Sequence, residues 1–294
     1  MKTQILQGSD LSLAIEALLK GEPVIFPTET VYGLGAPIFN RGAIQKIFTI
    51  KRRPIDNPLI AHIASLDEAY RIAEHFSPDF FTLAEAFWPG PLAMVVPKRK
   101  EVPEIATAGL MAIGIRMPLH PIARELIERV GEPLVAPSAN LSGKPSGTRL
   151  IDVLEDLDGR VGYAIDGGAC DIGIESSVIS LIHDEPLLLR PGKITKEAIE
   201  EVLGKKVHLF DRDTPILSPG MKYRHYAPRA QIELIFQKEE LHKGYLIPSA
   251  KSLYADLREA DRENRSHIQI YCDEEVQKDF ALMNRLLRAS GQIV

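Results

Sequence analysis

The chain has 294 residues, of which 45% are hydrophobic and 26% charged, and a net charge of −5. That balance excludes disordered and collagen-like classes and leaves room for one large domain with a smaller one beside it. The negative net charge argues against a protein that coats nucleic acid through a broad basic face, and the two cysteines, Cys170 and Cys272, stand far apart with neither a disulfide framework nor zinc-ligand spacing around them.

Met1-Lys2-Thr3-Gln4 leads into amphipathic sequence without an apolar signal core, and no apolar run has the length of a spanning helix, so a cytoplasmic protein is expected. Leu11, Ala14, Ile15, Leu18 and Leu19 then recur at helical spacing, with Ser9 or Asp10 as N-cap and Gly21 as stop. The apolar run at 24–26 predicts a strand, which breaks into the polar, glycine-punctuated turn PTETVYGLG. Further helices are predicted over 41–49, 66–75, 78–87, 121–130, 150–157 and 196–203, and strands over 59–63, 92–96, 112–116, 134–136, 163–165, 177–181 and 186–190. Helices and strands mix throughout, which gives an α/β or mixed α+β class.

The stretch KKVHLFDRDTPILSPGMKYRHYAPRA has no clear period and reads as a linker. A new pattern follows, with strands near 232–236, 245–247 and 268–271 and a helix near 278–289. The division expected is a first domain over 1–204, a linker over 205–230 and a second domain over 231–294.

Polar and charged residues gather at strand ends, where open sheets hold ligands. Two phosphate devices fail: SANLSGKPS has Ser138 where a Walker loop needs glycine and Pro145 where it needs Ser or Thr, and GLGAPI lacks the third small residue of a dinucleotide fingerprint. Taken singly, the remaining pieces have bland readings. Lys51-Arg52-Arg53-Pro54 reads as a solvated basic turn, His62 as a structural histidine, Ser138-Ala139-Asn140 as a cap, Glu29 as a solvated loop carboxylate, and Thr28 and Thr30 as turn formers.

Taken in order, PTETVYGLG, KxRP with NPL, WPGPL, IRMP, APSAN, DGG, ESSV, LLRPG and SPGMKYRHYAP resemble the threonylcarbamoyl-AMP synthases of the Sua5/YrdC family over residues 1 to about 228. The linker and second domain resemble the two-domain Sua5 type. The resemblance implies a YrdC/RibB-like twisted mixed sheet flanked by helices, plus a small Rossmann-like C-terminal α/β domain that is shorter than usual.

It further implies an enzyme, an L-threonylcarbamoyladenylate synthase, that joins L-threonine, bicarbonate or CO2 and ATP with release of pyrophosphate. The product serves the N6-threonylcarbamoyladenosine modification at position 37 of tRNA. By position, Thr30, His62, Arg116 and Ser176 match the threonine set. Lys51, Arg53, Asn57, Ser138, Asn140, Ser146, Arg190 and Tyr226 match the ATP set, with Lys51 and Arg53 in catalytic roles and Tyr223 and His225 as neighbouring candidates. Magnesium is expected with ATP, and no tightly bound cofactor or resident metal. A downstream tRNA threonylcarbamoyl transferase is the expected partner, direct tRNA binding is left open, and no membrane is involved. The linker is expected to act as a lid that ligands protect from cleavage near Arg212 or Lys222. The alternatives are a YrdC-like RNA-binding or ribosome-maturation protein, and the YrdC-like module of a hydrogenase maturation factor.

Overall fold

The computed structural model describes residues 2–210, 225–242 and 244–292. Arg212, Lys222 and Tyr223, which figured in the lid expectation, lie outside them.

In chain order the elements are β1 (Gln4–Gln7), α1 (Ser12–Leu19), β2 (Val24–Phe26), β3 (Gly33–Pro37), α2 (Arg41–Lys51), β4 (Ile60–His62), α3 (Leu66–Tyr70), α4 (Pro78–Phe87), β5 (Leu92–Pro97), α5 (Glu104–Thr107), β6 (Ala112–Arg116), α6 (Pro121–Val130), β7 (Leu134–Val135), α7 (Leu150–Leu157), β8 (Tyr163–Asp166), β9 (Ser177–Ser180), β10 (Leu187–Arg190), α8 (Lys196–Leu203) and β11 (His208–Leu209). The C-terminal part adds β12 (Gln231–Ile235), α9 (Leu253–Arg262), β13 (His267–Tyr271), α10 (Glu274–Lys278) and α11 (Phe280–Ser290). No helix among the described residues is long and apolar enough to cross a membrane.

The first strands form one mixed sheet in the order β1-β8-β2-β3-β7-β4-β6-β5-β9-β10-β11. Side-chain alternation explains why both of its faces are covered. Ile25, Leu34, Met94, Ile115 and Ile179 point into one continuous core under the helices. Their neighbours point the other way, Val24 and Phe26 into a cluster with α1 and α6, and Ala93, Val95 and Val178 into another.

One expectation needs correction. The segment Gly33–Pro37, read as part of a turn, is a buried strand of the sheet, antiparallel to β2 and β7. Its glycines hide the strand because they carry no pattern, yet they are required: a Cβ on Gly35 would come within 2.6 Å of the Phe26 ring. Beyond Gly204, Val207 joins the main core and β11 extends the sheet beside β10.

The C-terminal part has a parallel β12–β13 pair, a bridge from Leu246 to Ile270, and α9 and α11 around its own core. That core also contains Val31, Ile174 and Tyr226. The second domain therefore packs directly on loops of the first.

Candidate active site

The site forms where β2, β4, β6 and β10 end and where β9 begins. β4 and β6 run parallel with His62 opposite Arg116, which sets an imidazole and a guanidinium side by side. The Thr28–Tyr32 turn after β2 is fixed from within: Thr28 Oγ1 donates to Val31 O at 2.6 Å and lies 2.9 Å from Thr30 Oγ1. Among these ends is a cavity of about 80 Å³.

All four residues of the predicted threonine set, Thr30, His62, Arg116 and Ser176, line this cavity. Arg116 is prearranged: Nη1 donates to Thr30 Oγ1 at 2.8 Å, Nε to Gly90 O at 3.2 Å, and Nη2 pairs with Glu29. Glu29 is thus no solvated carboxylate; it is 2% exposed. Burial raises its carboxyl, but the Arg116 charge and hydrogen bond outweigh that and leave it below the ordinary range. For His62, burial first and the Arg116 charge second pull the imidazole down to about 3, so it is neutral.

The predicted ATP set divides. Arg53, Ser138, Arg190 and Tyr226 line the cavity. Lys51, Asn57, Asn140 and Ser146 are buried in a layer behind it. Lys51 Nζ donates to the carbonyls of Ser138 and Asn140 at 2.5 and 2.6 Å, while Asn140 Oδ1 accepts from Ser138 Oγ at 2.6 Å. Asn57 and Pro58 offer their carbonyls to Arg53 at 3.1 and 2.8 Å. These inner residues hold the outer ones in place. Burial, above all, moves Lys51 well below its usual value and Arg53 down to about 10.

Arg190, at the end of β10, donates from Nε to Ser176 O at 3.0 Å and from Nη2 to Ser176 Oγ at 3.2 Å. Gly192 lets the chain pass: a Cβ there would meet Ser177 N at 2.3 Å and Ser176 C at 2.7 Å.

Several residues of the cavity wall stand outside the two predicted sets. Glu175 lines the cavity, and Ser146 Oγ donates to its Oε1 at 2.6 Å. Thr28, Gly33 and Ala136 also contribute wall. Glu175 stands at the head of the ESSV motif, which was the signal available. His225, named only as a neighbour, lines the cavity together with Tyr226, and burial first, then the Arg53 charge, pulls its imidazole down to about 3. Among the described residues no group of three or more His, Cys, Asp or Glu could hold a metal ion.

The cavity joins one guanidinium, Arg116, and hydroxyls suited to an amino-acid carboxylate with two further arginines, Arg53 and Arg190, suited to phosphate. Against known proteins, a family model described as telomere recombination matches residues 16–192, and one described as the C-terminal domain of threonylcarbamoyl-AMP synthase matches residues 194–249. The threonylcarbamoyl-AMP synthase of Pyrococcus abyssi is 41% identical, covering 96% of this chain and 94% of its own length. That of Bacillus subtilis is 40% identical, covering 98% and 96%. The solved structure of P. abyssi Sua5 complexed with L-threonine has 38% identity and a TM-score of 0.91, covering 98% of each chain. With the same architecture, both matched domains and this identity over nearly its whole length, the chain belongs to the Sua5/YrdC family of threonylcarbamoyl-AMP synthases.

Proposed function

We propose that this enzyme makes threonylcarbamoyl-AMP and pyrophosphate from L-threonine, bicarbonate or CO2 and ATP, for the N6-threonylcarbamoyladenosine modification of tRNA position 37. The carrying observation is that Thr30, His62, Arg116 and Ser176 share one cavity with Arg53 and Arg190. A relative solved with L-threonine supports the choice of amino acid.

In this reading Arg116 and the hydroxyls of Thr30 and Ser176 bind threonine, and the neutral His62 contributes a hydrogen bond rather than a charge. The amine of threonine adds to CO2 and loses a proton, giving a carbamate. One carbamate oxygen forms a bond to the α-phosphorus of ATP as the bond to the β-phosphate oxygen breaks, and pyrophosphate leaves. No protein nucleophile is required. Charge grows on phosphate oxygens, and Arg53 and Arg190, fixed before substrate arrives, stabilise it. ATP enters as its magnesium complex, so that the ion travels with the substrate.

Both the carbamate and the mixed anhydride hydrolyse easily, which makes exclusion of water part of the task. His225 and Tyr226, at the end of the linker, would form part of the cover. The product goes to a tRNA threonylcarbamoyl transferase, with both steps in the cytoplasm.

The test is pyrophosphate release measured with threonine, bicarbonate or both left out. Release that needs both, with threonylcarbamoyl-AMP as co-product, is expected. Equal release without threonine would overturn the reading.

A further inference from the structure

The second domain does more than sit beside the first. Two of its side chains end at the wall of the cavity. Tyr254 on α9 donates its hydroxyl to Glu175 Oε2 at 2.8 Å, and Arg285 on α11 donates Nε to the same oxygen at 2.9 Å and Nη2 to the Glu175 carbonyl at 3.3 Å. Arg285 is 0% exposed. Its guanidinium lies 5.4 Å from the centre of the Tyr226 ring, and Tyr226 in turn stacks on Tyr254 with centroids 5.4 Å apart. Glu175 and Tyr226 both face the cavity, whereas Tyr254 and Arg285 stand behind them.

The backbone between the domains is equally tight. Gly173, at φ +88°, passes so close to the second domain that a Cβ would meet Lys251 Cα at 2.5 Å and Ala250 O at 2.6 Å. Val31, itself in the cavity wall, and Ile174, next to Glu175, are buried in the second domain's core. The 173–176 segment is thus a wall with two faces, one on the cavity and one on the second domain.

We infer that Tyr254 and Arg285 are positioning residues of the reaction, which orient the cavity residues Glu175 and Tyr226 from the second domain. A buried carboxylate held by a hydroxyl, a phenol and a guanidinium has one available orientation, and it fixes the adjoining Ser176 as well. Arg190 holds Ser176 from the other side, within the first domain. The cavity is therefore complete only when both domains are docked, and this domain's role is to finish the site.

The inference rests on the proposed reaction for its rate measurements, but threonine binding tests it without turnover. In the full-length protein, Tyr254→Phe removes one donor to Glu175 and keeps the stacked ring. Arg285→Lys keeps the charge and loses the forked contact. Arg262→Gln is the control, because Arg262 joins the domains through Asp152 and Glu155, at 3.1 and 2.6 Å, away from the cavity.

Calorimetric threonine binding, pyrophosphate release and thermal melting are measured on each. Tyr254→Phe is expected to weaken threonine binding about tenfold, the loss of roughly one hydrogen bond to a charged group. Arg285→Lys should weaken it further, while Arg262→Gln lowers the melting temperature and leaves the affinity alone. Wild-type affinity in Tyr254→Phe would overturn the inference, and so would an equal loss in Arg262→Gln at the same melting temperature. Threonine binding that responds as expected in a protein showing no turnover would sink the proposed reaction and leave this inference standing.

Discussion

Arg116 and Glu29 form an ion pair buried under the turn that follows β2, their side chains 5% and 3% exposed. Removing the guanidinium would strand the carboxylate in a dry site, and breaking such a pair costs about 3–5 kcal/mol. Arg116→Met should therefore lose both stability, by urea unfolding, and threonine binding, by calorimetry. Adding Glu29→Gln should restore part of the stability and none of the binding. Threonine affinity within twofold of wild type in Arg116→Met would show that the pair is only structural.

Lys51 makes a different prediction from the one its sequence position suggests. Its ammonium is spent on the carbonyls of Ser138 and Asn140. Lys51→Ala should leave the Asn140 carbonyl unpaired, at about 1–3 kcal/mol, reduce the Ser138 carbonyl to the Asn140 N–H as its one donor, and let Ser138 drift from the cavity wall. Stability and the KM for ATP should both worsen. A variant that melts like wild type yet has lost its turnover would mean that Lys51 swings toward substrate and acts on it directly.

Gly192 is a steric prediction. An alanine there must push Ser176 and Ser177 back, since its Cβ would lie 2.3 Å from Ser177 N. Overpacking of this kind costs roughly 1–3 kcal/mol, and the shift falls on the Ser176–Arg190 contact. Gly192→Ala should lower kcat/KM together with the melting temperature. Unchanged values of both would show that this loop yields freely.

Most regular elements of the first domain were legible because their patterns are local, whereas β1, α5 and β11, of four, four and two residues, are too short to carry a pattern and were not foreseen. α6 has Pro121 at its start, Ala123, Leu126, Ile127 and Val130 on its buried face, and Gly131 as its stop. β3 was not legible, because its glycines serve the neighbouring Phe26 rather than any pattern of their own. α9 was missed although Leu253, Tyr254 and Leu257 are buried at helical spacing, since charged residues crowd the rest of LYADLREADR. The cavity's arginines could be found from motif order alone. Which residues touch the cavity and which stand behind it could not, because Lys51 and Arg53 are two positions apart and differ only in where their side chains end. Arg285 lies 110 residues from Glu175, and nothing in either local sequence announces the pair.

His62 and His225 give the last prediction. Burial first, then Arg116 for His62 and Arg53 for His225, pulls both imidazoles from 6.5 to about 3. The folded protein thus keeps both neutral where the unfolded chain takes up protons. Their contribution to stability is complete above pH 6.5 and is lost as pH falls from there toward 3, with a slope of up to about 1.4 kcal/mol per pH unit for each. The urea midpoint should therefore drop between pH 7.5 and 5.0, and His62→Gln should flatten part of that drop. Glu29 and Glu175, both held below the ordinary carboxylate value, lose their contribution only at more acid pH, below about 4.5. Binding follows from the same shift. With His62 neutral on both sides of pH 6.5, threonine affinity should stay level between pH 6 and 8 when corrected for the ligand's own ionisation. A rise in affinity on crossing pH 6.5 downward would mean that a charged His62 pairs with the threonine carboxylate, and that its burial does not set its protonation.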